Sequence, residues 1–176
     1  LPDHVQCIFV RQAEQLGLGH AVLCAERAVG NEPFVVLLAD DFIVPKVPNV
    51  TANLIDAYKT NGKSQLCVLQ VNNSEVTKYG ILIPGNDDSS VGGIVEKPNQ
   101  EDAPSNLASI GRYLLSPDIF KILGDIQPGK NNEIQLVDAI HRAAQSGRVA
   151  SIALDGERFD CGSVEGYLSA VERMKA

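Results

Sequence analysis

Asp40 directly follows the uninterrupted apolar run Phe34–Ala39, an order that sets a carboxylate at the end of a buried strand. In open α/β sheets that end is where ligands bind. A carboxylate there suits a hard cation such as Mg2+, which is held by one or two carboxylates together with substrate phosphates. Taken without context, Asp40 or Asp41 reads more readily as a turn cap. A second carboxylate flanked by glycine, in Phe159-Asp160-Cys161-Gly162-Ser163, shifts the weight toward the cation. Glu96-Lys97-Pro98 ends a further β-like run, where the carboxylate could accept from a sugar hydroxyl and the compact ammonium could meet a phosphate. Neighbouring Glu and Lys are also an ordinary exposed ion pair, worth about 0–1 kcal/mol.

Other chemistries find less support. His20 and His141 have no Ser or Cys partner at a triad-like spacing, and His141 lies on a helical stripe, so both read as structural or surface residues. Cys7, Cys24, Cys67 and Cys161 contain no CxxC pair and no dense disulfide pattern, and are expected to be reduced, semi-buried thiols. Gly17 and Gly19 could let a ligand approach the backbone, but they do not form GxGxxG and also read as turn residues.

The chain has 176 residues, 44% of them hydrophobic and 21% charged, with 15 basic and 22 acidic side chains giving a net charge of −7. That composition excludes intrinsic disorder and a broad basic footprint for nucleic acid, so any phosphate must be met locally. No apolar run approaches the roughly 20 residues that span a bilayer, and a cytoplasmic protein is expected. No repeat or low-complexity tract interrupts residues 1–176, which read as a single domain.

The elements that must position these residues alternate. Val5–Val10 reads as a strand, His20–Arg27 as a helix after the Leu16–Gly19 turn, and Phe34–Ala39 as a central parallel strand. Thr51–Thr60 reads as a helix stopped by Asn61-Gly62, and Gln65–Val71 as a strand. Tyr79–Ile83 and Val91–Glu96 read as a hairpin around a turn rich in Pro, Gly, Asn and Asp. Ser109–Leu115 is expected to be a strand, Pro117–Leu123 and Glu133–Gln145 helices, Val149–Leu154 a strand and Val164–Lys175 a closing helix. This order implies an α/β fold.

Several blocks occur together: residues 12–21 (QAEQLGLGHA), Leu37–Asp41, Tyr79-Gly80, Val95–Pro98, Pro104–Ala108, Gly111–Tyr113, Asn132–Leu136 and Phe159–Ser163. In this order the chain resembles the bacterial UTP–glucose-1-phosphate uridylyltransferases. The resemblance implies a Rossmann-like, GT-A-like nucleotidyltransferase fold, a mixed sheet flanked by helices, joining UTP to α-D-glucose 1-phosphate with Mg2+ and releasing pyrophosphate. It also implies that the first βα unit, with the glycine-rich loop that cradles the triphosphate, is missing, making 1–176 a partial domain. Little or no turnover and self-association through uncovered strand edges are expected from that.

By the same resemblance, Gln12 and the backbone of Gly17 match positions that read the uracil edge. Asp40 and Asp160 match the metal carboxylates, Gly80 and Glu96 the glucose-binding positions, and Lys97 the lysine that meets the sugar phosphate. Asn106 and Ser109 fall in the segment lining the sugar pocket. A thymidylyltransferase for the same sugar, and a non-catalytic sugar-nucleotide-binding module, are the competing readings.

Overall fold

The computed structural model describes residues 2–46 and 49–175. Its organising element is a nine-residue strand, β6 (Leu107–Leu115), whose alternating side chains are buried on both faces. Tyr113 and Leu115 enter one core with Leu66 and Val68, while Ile110 and Leu114 enter another with Cys67. Alternation of this kind, with both sides apolar, is what a strand needs when helices cover both faces of its sheet.

Along one side of β6 runs β3 (Ser64–Gln70), antiparallel, with Gln65 opposite Leu114 and Gln70 opposite Leu107. The other side of β6 is shared end to end. β1 (Phe34–Leu37) pairs with Arg112–Leu115, and β4 (Gly80–Pro84) pairs with Ala108 and Ser109. β5 (Val91–Glu96) closes a hairpin on β4, and β7 (Val149–Ala153) adds in parallel beyond β3. Two further strands, β2 (Asp41–Pro45) and β8 (Gly156–Asp160), form a separate antiparallel ribbon.

On one face lie α1 (Gly17–Cys24), the one-turn α2 (Glu26–Val29), α4 (Asp118–Asp125) and α5 (Leu136–Gln145). The α5 residues Leu136, Ala139, Ile140, Ala143 and Ala144 are buried at the i, i+3, i+4, i+7, i+8 spacing of a core-facing stripe. On the other face α3 (Val50–Asn61) is capped by the Asn49 side chain, which accepts from the Thr51 N–H at 2.9 Å. It ends at Gly62, whose φ of 68° supplies the left-handed cap. Leu54 of α3 is fully buried, so Leu54→Ala would cost about 2–5 kcal/mol. α6 (Val164–Lys175) closes the described chain beside β8.

The hairpin, α3, α6, β6 and β7 lie within a few residues of their sequence-based bounds. Three expectations are corrected. Val5–Val10 is not a strand: it has no ladder, and Ile8 and Phe9 are 70% and 96% exposed. Its β-forming residues lack a partner strand, and isolated strands are not stable in water. Phe34–Ala39 is neither central nor parallel; β1 stops at Leu37 and, among the described residues, pairs only with β6, antiparallel. Its apolar run is therefore half-exposed, Leu37 by 56%. The Leu16–Gly19 turn is instead the start of α1, because Gly17 at φ 89° and the Gly19 N–H bonded to the Ile134 carbonyl at 2.9 Å tie this segment to the approach to α5. Glu133–Gln135 correspondingly stay outside α5.

Candidate functional site

A cleft of about 280 Å³ opens at the end of the sheet, where the turn after β1, the ends of β4 and β5, the middle of β6 and the end of β8 meet. Asp40, Gly80, Glu96, Lys97, Ser109 and Asp160 all line it. Of the site residues expected from sequence, Gln12, Gly17 and Asn106 are not in its lining. Gln12 and Gly17 do lie together beside it: the Gln12 amide donates to the Gly17 carbonyl at 3.0 Å, and the adjoining Leu18 reaches the cleft. The carbonyl of Asn106 accepts from the Val71 N–H at 3.0 Å, a backbone role.

The sheet register brings three of these residues into a row. Gly80 of β4 is opposite Glu96 of β5 on one side and opposite Ser109 of β6 on the other. Residues directly opposite project to the same face. Glycine at the centre leaves a trough: a Cβ at position 80 would stand 2.9 Å from Ile94 Cδ1 and 3.2 Å from Glu96 Oε2. The Ser109 hydroxyl is buried beside the Tyr113 phenol, with no hydrogen bond of good geometry to it among the described residues. A buried, unmatched hydroxyl costs about 1–3 kcal/mol, a cost that a ligand's polar group could offset. Beside it, burial pushes the Tyr113 phenol up to about 12, so it stays protonated at neutral pH.

Lys97 leaves the end of β5 with φ 45°, a left-handed conformation unusual for a side chain of its length. Its N–H donates to the Tyr79 carbonyl at 2.9 Å, and its ammonium stands 3.7 Å from Glu96. Both side chains are substantially exposed, so the pair adds little stability and leaves the charges available to a ligand. Non-glycine residues held in this region concentrate at functional sites.

The acidic end depends on the β2/β8 ribbon, in which Asp41 lies directly opposite Asp160. Asp41, only 5% exposed, accepts from the Gly111 N–H of β6 and from the Arg158 guanidinium. Arg158 also donates to the Tyr79 hydroxyl at 3.0 Å, lies 5.3 Å over its ring and comes within 3.6 Å of Asp160. Burial is the largest single influence and works against the Arg158 charge, but Asp41, Tyr79 and Asp160 together outweigh it and hold the guanidinium above its ordinary value. From β6, Arg112 donates to the Leu38 and Asp41 carbonyls at 3.1 and 2.6 Å. The Cys161 N–H donates to the Asp40 carbonyl at 2.7 Å.

These bonds fix the turn so that Asp40 and Asp160 face one space. A Cβ on Gly162 would stand 3.1 Å from Asp160 Oδ1 and 3.3 Å from Asp40 Oδ2, so glycine keeps open a cradle between two carboxylates. Two hard oxygen donors beside an open cleft fit a divalent cation completed by phosphate and water. Among the described residues no group of three or more His, Cys, Asp or Glu could hold a metal by itself.

Asp41, Arg158 and Tyr79 are the members of this constellation that sequence reasoning did not assign. Arg158 and Asp160 alternate along a strand and so share a face. That signal was hidden because Gly156–Asp160 did not read as a strand. The remaining candidates behave as expected: His141 bonds the backbone of Ile94 through Nδ1, and His20 meets Gln12 at 2.9 Å. All four cysteines are free, but only Cys24 and Cys161 are semi-buried: Cys7 is exposed and Cys67 is fully buried in the core.

A family model described as nucleotidyl transferase matches residues 3–176. The chain is 43% identical over 175 residues to a UTP–glucose-1-phosphate uridylyltransferase of Pseudomonas aeruginosa, covering 97% of this chain and 62% of that protein. It is also 43% identical over 169 residues to the Staphylococcus epidermidis enzyme of the same name, covering 94% of this chain and 58% of that one. A solved UDP-glucose pyrophosphorylase complexed with UDP-glucose superposes with a TM-score of 0.88 at 46% identity, over 94% of this chain and 64% of that one. A UTP-bound enzyme of the same kind from Acinetobacter baumannii superposes at 0.87 and 38% identity, over 99% of this chain and 61% of that one. The chain thus spans about three fifths of the length of these relatives.

Proposed function

Because the chain belongs to the nucleotidyl transferase family, we propose that its cleft is the sugar-phosphate and metal side of a UTP–glucose-1-phosphate uridylyltransferase site. The reaction joins UTP and α-D-glucose 1-phosphate to give UDP-glucose and pyrophosphate. The observation that carries this reading is the convergence of Asp40 and Asp160 on the space over Gly162, in the same cleft as the Gly80, Glu96, Ser109 row and Lys97.

In this reading the Glu96 carboxylate and the Ser109 hydroxyl bind sugar hydroxyls across the trough left by Gly80. Lys97 sets its ammonium against the sugar phosphate, offsetting charge that would otherwise repel the nucleotide. Asp40 and Asp160 would hold Mg2+, which would supply neutralisation of the phosphate oxygens when bound. A sugar phosphate oxygen is already anionic near neutral pH, so in-line attack on the α-phosphorus needs alignment more than a strong base. Gln12 and the Gly17 backbone contact the uracil edge.

The 176-residue chain is expected to bind UDP-glucose. Among the described residues β1 has an open outer edge with Leu37 exposed, which supports assembly as a homo-oligomer. No helix among the described residues is long and apolar enough to cross a membrane, and four free thiols are compatible with the reducing cytoplasm. Thermal unfolding with UDP-glucose and Mg2+, beside dTDP-glucose as control, tests the reading. A Tm raised by UDP-glucose in wild type and not in Lys97→Ala supports it. Equal protection by both nucleotides, or none by either, overturns it.

A further inference from the structure

The register of the ribbon creates an electrostatic problem that one side chain resolves. Asp41 and Asp160 are directly opposite each other, an arrangement in which like charges repel across a sheet. Asp40 adds a third carboxylate to the same end of the ribbon. Arg158, two residues before Asp160, reaches diagonally across, bonds Asp41 and comes within 3.6 Å of Asp160. Its side chain is 11% exposed and is braced by the Tyr79 hydroxyl at 3.0 Å.

We infer that Arg158 is a positioning residue: clamped on Asp41, it holds the end of β8 against the Leu38–Asp41 turn and so sets the spacing of Asp40 and Asp160 for a divalent cation. The inference rests on the proposed metal site. Asp41 is turned into the protein onto Gly111 and Arg158, whereas Asp40 and Asp160 converge on the space over Gly162. Arginine is required rather than any cation, since one planar fork meets Asp41, Tyr79 and Asp160 at once.

The test is titration of the 176-residue chain with Mn2+ alone, reading free Mn2+ by electron paramagnetic resonance and folding by circular dichroism. Wild type is expected to bind one Mn2+ that Asp160→Asn abolishes. Arg158→Lys, which keeps the charge and loses the fork, is expected to bind about 10-fold more weakly. Because unpaired Asp41 could unfold a single variant, Asp41→Asn with Arg158→Met removes the pair together. This double variant is expected to stay folded and to bind as weakly as Arg158→Lys. Unchanged or tighter Mn2+ binding in either folded variant overturns the positioning role while leaving the metal site intact. Binding that is absent from wild type, or indifferent to Asp160→Asn, overturns the metal site and this inference with it.

Discussion

Asp41→Ala is the sharpest perturbation available, because the Asp41 carboxylate is buried and bonds both the Gly111 N–H of β6 and the Arg158 guanidinium of β8. Truncation leaves the Arg158 guanidinium facing Tyr79 without its buried counter-ion and removes the acceptor of the Gly111 N–H. Breaking one member of a buried pair typically costs about 3–5 kcal/mol, most of it the penalty of the charge left behind. The Asp160 carboxylate at 3.6 Å is itself half-exposed and recovers only part of that. The lower end of the range, about 3 kcal/mol, is therefore expected. In a chain of this length it corresponds to a fall in Tm of roughly 10 °C. The assay is urea unfolding followed by far-ultraviolet circular dichroism, in a cycle of wild type, Asp41→Ala, Arg158→Met and the double variant. The double variant should be more stable than the sum of the singles predicts, by at least about 1 kcal/mol, because it strands no charge. Additive losses, or a cost below about 1 kcal/mol for Asp41→Ala, would refute the claim that this pair joins the ribbon to the sheet.

Three further outcomes follow from the same geometry. Gly162→Ala puts a methyl group between the Asp40 and Asp160 carboxylates and should weaken Mn2+ binding about 10-fold without changing the circular dichroism spectrum; unaltered binding would show that the cradle lies elsewhere. The folded state keeps the Tyr113 proton up to about 12 against 10.0 for a free phenol, so the unfolded chain loses it first and stability falls as pH rises from about 10 to about 12. The loss is on the order of 2–3 kcal/mol. In urea melts across that range Tyr113→Phe should flatten the decline, and an identical slope in the variant would contradict it. Leu37→Lys puts a charge on the open edge of β1 and should move the sedimentation profile from a dimer or larger species to monomer. A wild-type chain that already sediments as monomer at micromolar concentration would remove the case for assembly through that edge.

Sequence by itself determined the elements whose signals are local. The α5 stripe, the Asn61-Gly62 stop of α3 and the turn between β4 and β5 each follow from residues a few positions apart, whose spacing records which side faces the core. It also picked out Asp40, Glu96, Lys97 and Asp160, since a carboxylate or lysine at a strand end is visible as pattern. Tertiary structure alone decided the partners. Phe34–Leu37 carries the apolar run of a doubly covered strand, yet what it pairs with, and in which direction, depends on β6, more than 70 residues downstream. Val5–Val10 has strand-forming residues and no ladder, because propensity does not supply a neighbour's hydrogen bonds. Arg158 meets Asp41 across 117 residues of chain, and only the register of two short strands brings them together. The acidic cradle is for that reason a property of long-range pairing: the residue types fixed its charge, and the ribbon fixed its geometry.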